Sequence, residues 1–433
     1  MKREYSPLFL LGLVLITLQG CRSSLSSKAA ELTSPAPCAI ALTPPKLDGR
    51  SESGRLDAEI ASLQQTARRS ADPKPYLERL GWKYIEKARL SYDPGYYKIA
   101  EQCAACLETQ QASSPEALLL RGHVLHSLHH FREAEEVARR LVSKRGLAMD
   151  HGLLGDVLMD AGKLPEAIAA YQKMMDLKPG PQAYSRAAHV RWLKGDLDGA
   201  RKLMSMSAQA SGQGDAEAAA WAYARLALYE LQAGDRKSAA AACDASLAFQ
   251  TDYAPALLAC GRVMLAEGRD RAAVPILQQA AHLNPLPEYQ WVLADALRAT
   301  GNEPEALEVE AQLRARRGAD DPRTYALYLA TRGEEIATAL GLAEAERQAR
   351  GDLMTLDAHA WALTAAGRHD EAYSLMQRAL AEGTQDARLF FHAAVISAKS
   401  NHPGEARRYG QQARKLQDLL LPSEKTELRR MKI

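Results

Sequence analysis

The chain has 433 residues, long enough for two or three globular domains, with 47% hydrophobic but only 6% aromatic residues. Lys plus Arg (55) nearly balance Asp plus Glu (53), so a net charge of +2 gives no electrostatic case for a nucleic-acid ligand. The apolar content is mainly Ala and Leu, which suits closely packed helices. In chain order, Lys2 and Arg3 precede an apolar run from Leu8 to Leu18 that is too short to span a bilayer. This is the pattern of a signal peptide core, predicted over 1–20. Residues 22–56 are rich in Ser, Pro, Thr and Ala, as in Ser34-Pro35-Ala36-Pro37, and show no helical period. Such a stretch reads as a spacer. Helical patterning starts near Leu56, and the tether is drawn over 21–70.

From Gly95 onward one feature dominates. A glycine is followed five residues later by an alanine in Gly95/Ala100, Gly162/Ala167, Gly195/Ala200, Gly234/Ala239, Gly268/Ala273, Gly301/Ala306 and Gly367/Ala372. His129/Ala134 and Asn401/Ala406 keep the alanine without the glycine, and Ala339 falls where one more is due. The alanines are 33 or 34 residues apart except for a 39-residue step between Ala200 and Ala239. A fixed period of this size is the mark of a solenoid. Within a unit, Leu153, Leu154, Val157 and Leu158 share one helical face, and Gly162 suits a helix C-terminus. Pro165 then fits the first turn of a second helix, whose apolar face continues through Ile168, Tyr171 and Met174. Small residues recur in first helices at Gly122, Gly155, Ala188, Ala227, Gly261, Ala294, Ala360 and Ala394, where helices must approach closely. Ala167 is accordingly expected at a tight contact and Ala170 in solvent. The extra residues near 208–219 read as a loop insertion.

These residues resemble the tetratricopeptide repeat (TPR) pattern of 34-residue helix–turn–helix units. The resemblance covers about 81–420 and implies an all-α fold: a right-handed superhelical solenoid of about 8–10 repeats, assigned to 71–420. Units start near 81, 115, 148, 181, 220, 254, 287, 320, 353 and 387. Residues 421–433 are expected to form a polar cap. Leu18-Gln19-Gly20-Cys21 resembles the bacterial lipobox, which implies lipidation at Cys21 and a membrane anchor. Arg22 stands where an inner-membrane retention aspartate is absent, which favours the periplasmic face of an outer membrane if the host has two membranes.

The resemblance also implies that first helices line a concave groove that takes a protein or peptide partner. The groove positions are then His123, His126, Asp156, Met159, His189, Trp192, Arg262, Leu265, Asp295, Arg298, Trp361 and Thr364, with Trp291 one turn before Asp295. Trp192, Trp291, Arg262 and Arg298 carry the residue types enriched at binding hot spots. The second function class is a periplasmic ligand- or metal-binding module using the histidines of 121–130 and a ladder of His123, Asp156 and His189. No metal site, cofactor or catalytic motif is assigned: His-Glu-x-x-His, phosphate-loop and nucleophile-elbow patterns are missing from the sequence. Cys103-Ala-Ala-Cys106 has redox spacing but lies inside a second helix, where burial as small residues is expected. Cys243 and Cys260 fall in adjacent helices, and an envelope location would permit a disulfide there. The resulting reading is a non-enzymatic, membrane-tethered adaptor of the bacterial cell envelope.

Overall fold

The computed structural model describes residues 37–43 and 51–431. The predicted signal peptide, Cys21 and most of the predicted spacer lie outside the described residues. Two N-terminal helices, α1 (Pro37–Leu42) and α2 (Ser51–Arg69), precede ten antiparallel pairs. The first five are α3 (Lys74–Ser91) with α4 (Gly95–Gln110), α5 (Pro115–Ser127) with α6 (Phe131–Lys144), α7 (Ala148–Asp160) with α8 (Leu164–Leu177), α9 (Pro181–Leu193) with α10 (Leu197–Ser211), and α11 (Ala216–Gln232) with α12 (Arg236–Phe249). The second five are α13 (Ala254–Ala266) with α14 (Asp270–Leu283), α15 (Pro287–Ala299) with α16 (Glu303–Ala315), α17 (Pro322–Arg332) with α18 (Ile336–Ala349), α19 (Leu353–Ala365) with α20 (His369–Leu380), and α21 (Ala387–Lys399) with α22 (Pro403–Lys415). A last helix, α23 (Pro422–Arg430), follows. Among the described residues there is no strand.

The repeat period is a turn period. Gly162, Gly195, Gly234, Gly268, Gly301 and Gly367 all have φ between 74° and 83°, the left-handed conformation that a side chain disfavours. Each turn also repeats one backbone bond, from the residue after the turn glycine to a carbonyl five residues back: Lys163 to Leu158 (2.8 Å), Arg269 to Met264 (2.9 Å) and Arg368 to Leu363 (2.9 Å). This bond satisfies a carbonyl that the helix end leaves orphaned. His129 and Asn401 adopt the same left-handed conformation without being glycine. Gly95 does not belong to this set. Tyr92 is the left-handed residue there, and Gly95 opens α4 with its N–H bonded to Asp93.

The ten ladder alanines, from Ala100 to Ala406, are all buried at 0–1% exposure. A Cβ added at Gly122 would lie 2.5 Å from Leu153, and one at Gly155 2.3 Å from the Tyr171 ring. These are the close contacts that demand small residues. Ala170 is a correction: it is 7% exposed and packs with Ala167 in the same cluster, because three residues advance a helix by nearly one turn. Ala169 is the exposed alanine of α8. The expected loop at 208–219 is also corrected. The insertion lengthens α10 and α11, and only a short 3₁₀ turn at Gly212–Gly214 with Asp215 separates them. Asp215 caps α11 by accepting from Ala218 N–H.

The expected spacer differs from the structure over 37–42. Helix α1 packs on α4, with Ala41 fully buried, and Cys38 forms a disulfide with Cys106. Gln64 donates to the carbonyls of Ala41 (3.2 Å) and Thr43 (2.7 Å), and Lys87 on α3 forms a buried ion pair with Asp57 on α2. A six-residue helix is too short to show a period, so its apolar residues carry no helical signal in the sequence. Cys106 therefore has a partner that neither Cys103 nor the adjacent-helix pairing supplies. Cys103, Cys243 and Cys260 are buried free thiols.

The polar cap expected at the C-terminus is more than polar. Leu420 and Leu428 are buried at 1–2% against α21 and α22, closing the last apolar face. Leu421 joins the core of the middle repeats instead. Ser423 N–H donates to Asp295 (3.0 Å), Glu424 pairs with Arg388 (2.7 Å), and Asp418 accepts two bonds from Arg236. The chain end thus returns from the last repeat to α12 and α15.

Candidate functional site

The superhelix closes on itself. The turn after α7 meets the segment before α19, with Gly351 N–H bonded to Asp160 O (2.9 Å) and Arg350 to the Asp160 carboxylate (2.6 Å), 190 residues apart. Thr384 donates to Leu193 O (2.6 Å), Gln232 to Gln385 O, and Lys194 pairs with Glu382. At this seam the backbones nearly touch. A Cβ at Gly162 would lie 2.5 Å from Gly351 O, and one at Gly195 2.5 Å from Gly383 O. Beside this seam lies a partly open concave cavity of about 880 Å³. That volume lies within the range of small-molecule sites.

Of the expected groove residues, His189, Trp192, Arg262 and Met159 line this cavity. Trp192 is 6% exposed, stacks near Tyr229 and donates its indole N–H to Gln232 (2.8 Å), so most of its surface packs between repeats. Arg262 pairs with Glu288 (2.9 Å), while its Nε is buried without a partner. Burial, reinforced by Arg388, holds its guanidinium below the ordinary range against the pull of Glu288. Burial and the nearby Arg225 charge push His189 down to about 4.

The other expected residues are engaged elsewhere. Burial likewise pushes His123 down to about 4, and its ring meets Trp82 edge-on. Asp156 accepts from Tyr171 (2.9 Å) and twice from Arg186 (2.7 and 2.5 Å). Burial raises its pKa, but Arg186 outweighs that and holds it low. His126 Nε2 lies 2.8 Å from Asp160. The ladder of His123, Asp156 and His189 is therefore not assembled as a ligand set: Asp156 is held by Tyr171 and Arg186, His123 packs on Trp82 with its Nε2 unpartnered, and His189 stacks on Trp192. Among the described residues no group of three or more His, Cys, Asp or Glu is placed to hold a metal ion. Trp291 is 3% exposed under the Arg388 guanidinium (5.0 Å), and Asp295 is covered by Ser423. Arg298 reaches back to Glu310 (2.6 and 2.9 Å) and Glu303, inside its own repeat. Trp361 stacks on His392 (4.0 Å) and donates to Thr331 (2.9 Å). Leu265 is core, and Thr364 bonds back to Ala360 O.

All six lining residues of α11 stand outside the expected set, among them Trp221, which is 40% exposed, and Arg225. A usable signal existed. The register that selects His189 after Ala188 selects Leu228 after Ala227, and Leu228 lines the cavity. Trp221 and Arg225 lie seven and three residues before it, on the same helical face. Arg323, Arg350 and Asp352 also line the cavity, but they are brought there by the seam, which no local pattern encodes.

Fold and cavity together define a helical-repeat solenoid with a partly open concave cavity. The tetratricopeptide repeat family model matches residues 119–180, 153–216 and 258–322, so these stretches carry TPR units. No curated protein matches. Similar solved structures include one described as the APC/C hetero-tetramer Cut9-Hcn1, at 13% identity, TM-score 0.36, covering 87% of this chain and 90% of that one. The human IFIT1 dimer with PPP-AAAA is similar at 13% identity and TM-score 0.46, covering 90% and 92%. The human IFIT1 dimer with m7Gppp-AAAA follows at 14% and 0.41, covering 85% and 78%.

Proposed function

We propose that this chain is a scaffold tethered to the membrane of a bacterial cell envelope, holding a segment of a partner protein in its concave cavity. The carrying observation is the cavity itself: about 880 Å³, with Trp221 exposed on its wall beside several arginines. Trp and Arg dominate binding energies because they combine large rigid area with directed donors. Tethering rests on the charged start, the short apolar core and Gly20-Cys21. The Cys38–Cys106 disulfide fits an oxidising compartment.

The test is a cross-linking pull-down from solubilised membranes. A Cys21→Ser variant should leave the membrane fraction. Trp221→Ala should lose the cross-linked partner while keeping wild-type helicity, with a hot-spot loss of about 2 kcal/mol, or roughly thirtyfold in affinity. Unchanged capture by the Trp221 variant would refute recognition in the cavity, and unchanged membrane retention of Cys21→Ser would refute the anchor. Trp192 is a poorer probe, since its bond to Gln232 makes it part of the repeat packing.

A further inference from the structure

Resting on the reading of the cavity as the binding face, its chemistry can be narrowed. The cavity arginines divide by partner. Arg350 pairs with Asp160 and Asp352, Arg323 with Asp352, Arg262 with Glu288 and Arg388 with Glu424. Arg225, by contrast, makes no ion pair or hydrogen bond among the described residues. Its guanidinium carbon lies 5.4 Å from the centre of the Tyr229 ring. Arg378 is also unpaired among the described residues but is exposed to solvent. Arg225 is half-buried, and two other residues of the same lining each carry a buried donor without a partner: Arg262 at Nε and Tyr229, itself 2% exposed, at its hydroxyl. A guanidinium N–H only donates, and a buried donor left unmade is costly. Trp221 and Leu228 supply apolar wall on the same helix face as Arg225.

The chain answers the same problem once with its own residues. Arg388 lies over the Trp291 ring at 5.0 Å, and the Glu424 carboxylate closes the arrangement at 2.7 Å. Arg225 repeats the arginine-on-aromatic half without a carboxylate. We propose that the cavity recognises a carboxylate attached to an aromatic or aliphatic group, with Arg225 as its ion partner and Trp221 as its apolar wall. Arg225 is the unpaired guanidinium of the lining that is half-buried, Arg378 being exposed; that matches a monoanion, and Glu288 on the same lining disfavours a more highly charged group. The carboxylate belongs either to a side chain of a partner segment or to a free small acid.

The experiment uses the full chain and measures binding by calorimetry and tryptophan fluorescence. The probes are 4-phenylbutyrate against 4-phenylbutyramide, and a capped Gly-Phe-Glu-Phe-Gly peptide against its Gln counterpart. An acid should bind about tenfold or more tightly than its neutral mate. Arg225→Gln should erase that preference, Arg225→Lys should keep part of it, and Trp221→Ala should weaken acid and amide alike. Circular dichroism melts check that each variant is folded. Preference in the peptide pair assigns the carboxylate to a partner segment, and preference in the small pair alone assigns it to a free acid. Equal binding of acid and amide, no binding at millimolar concentration, or a preference that survives Arg225→Gln overturns the proposal. Partner capture that falls with Trp221→Ala but not with Arg225→Gln would sink the carboxylate and leave the scaffold standing. Acid preference without effect of either variant on capture would do the reverse.

Discussion

Ala167 and Ala169 sit two residues apart on α8 and face opposite environments. Ala167 is fully buried at a helix contact, and Ala169 is exposed. Ala167→Leu adds three carbons where there is no space and should destabilise the protein by about 1–3 kcal/mol, whereas Ala169→Leu should shift the melting temperature little. Equal shifts would mean that the register is misplaced. Titration belongs to the same scale. His123 and His189 are held neutral by burial, with pKa values near 4. The unfolded chain binds a proton near pH 6.5 that the folded chain refuses until about 4, so stability rises with pH between those values. Their contribution is full above about 6.5 and is lost as pH falls toward 4, on the order of 1–2 kcal/mol for each residue by pH 5. Urea midpoints at pH 7 and pH 5 should therefore differ less in His189→Gln than in wild type. An unchanged difference would remove His189 from the account.

At the scale of elements, the N-terminal helices are held by one covalent link and a small cluster. The disulfide joins Cys38 to Cys106 across 68 residues and ties α1 to α4. Closing a loop of this length restricts the unfolded chain and typically stabilises by about 2–4 kcal/mol. Cys38→Ser should lower the melting temperature and open the chain to trypsin around Arg68 and Arg69. A reductant should bring wild type to the same state. If oxidised wild type and variant melt and digest alike, the link does not stabilise α1. The insertion before α11 shows the same logic in longer elements. Its Ala-rich residues have high helix propensity, so they extend α10 and α11. The longer α11 reaches from Ala216 and presents Trp221 to the cavity.

At the scale of the molecule, the decisive feature is the seam that brings distant turns of the superhelix together beside the cavity. Gly162 and Gly268 have nearly the same left-handed backbone, φ 75° and 74°, but only Gly162 faces a second backbone, at 2.5 Å from its hypothetical Cβ. Gly268→Ala meets nothing within 4 Å. It should cost about 1–2 kcal/mol for backbone strain alone. Gly162→Ala adds an overpacking cost of about 1–3 kcal/mol. Its second effect is on shape: small-angle scattering should show a larger radius of gyration for Gly162→Ala than for Gly268→Ala. Identical radii and stabilities would mean that the seam is not closed in solution.

The sequence by itself determined the helix pairs and their contacts. The left-handed turn glycines, the prolines at helix starts and the buried alanine ladder are local necessities repeated at a fixed period, so one chain displays them without an alignment. First helices begin at 115, 148, 181, 254, 287, 353 and 387 as the period requires, and at 74, 216 and 322 where it is less regular. The site was legible only where it follows that period, at Met159, His189, Trp192 and Arg262. Tertiary structure decided the rest. Small rotations between successive repeats add up until residues 190 apart share a hydrogen bond, and no local pattern specifies that sum. The closure places Arg350 and Asp352 on the cavity wall, the chain's own end covers Asp295, and Cys38 reaches Cys106. Each of these contacts joins segments far apart in sequence, so its partner is chosen by the shape of the whole array.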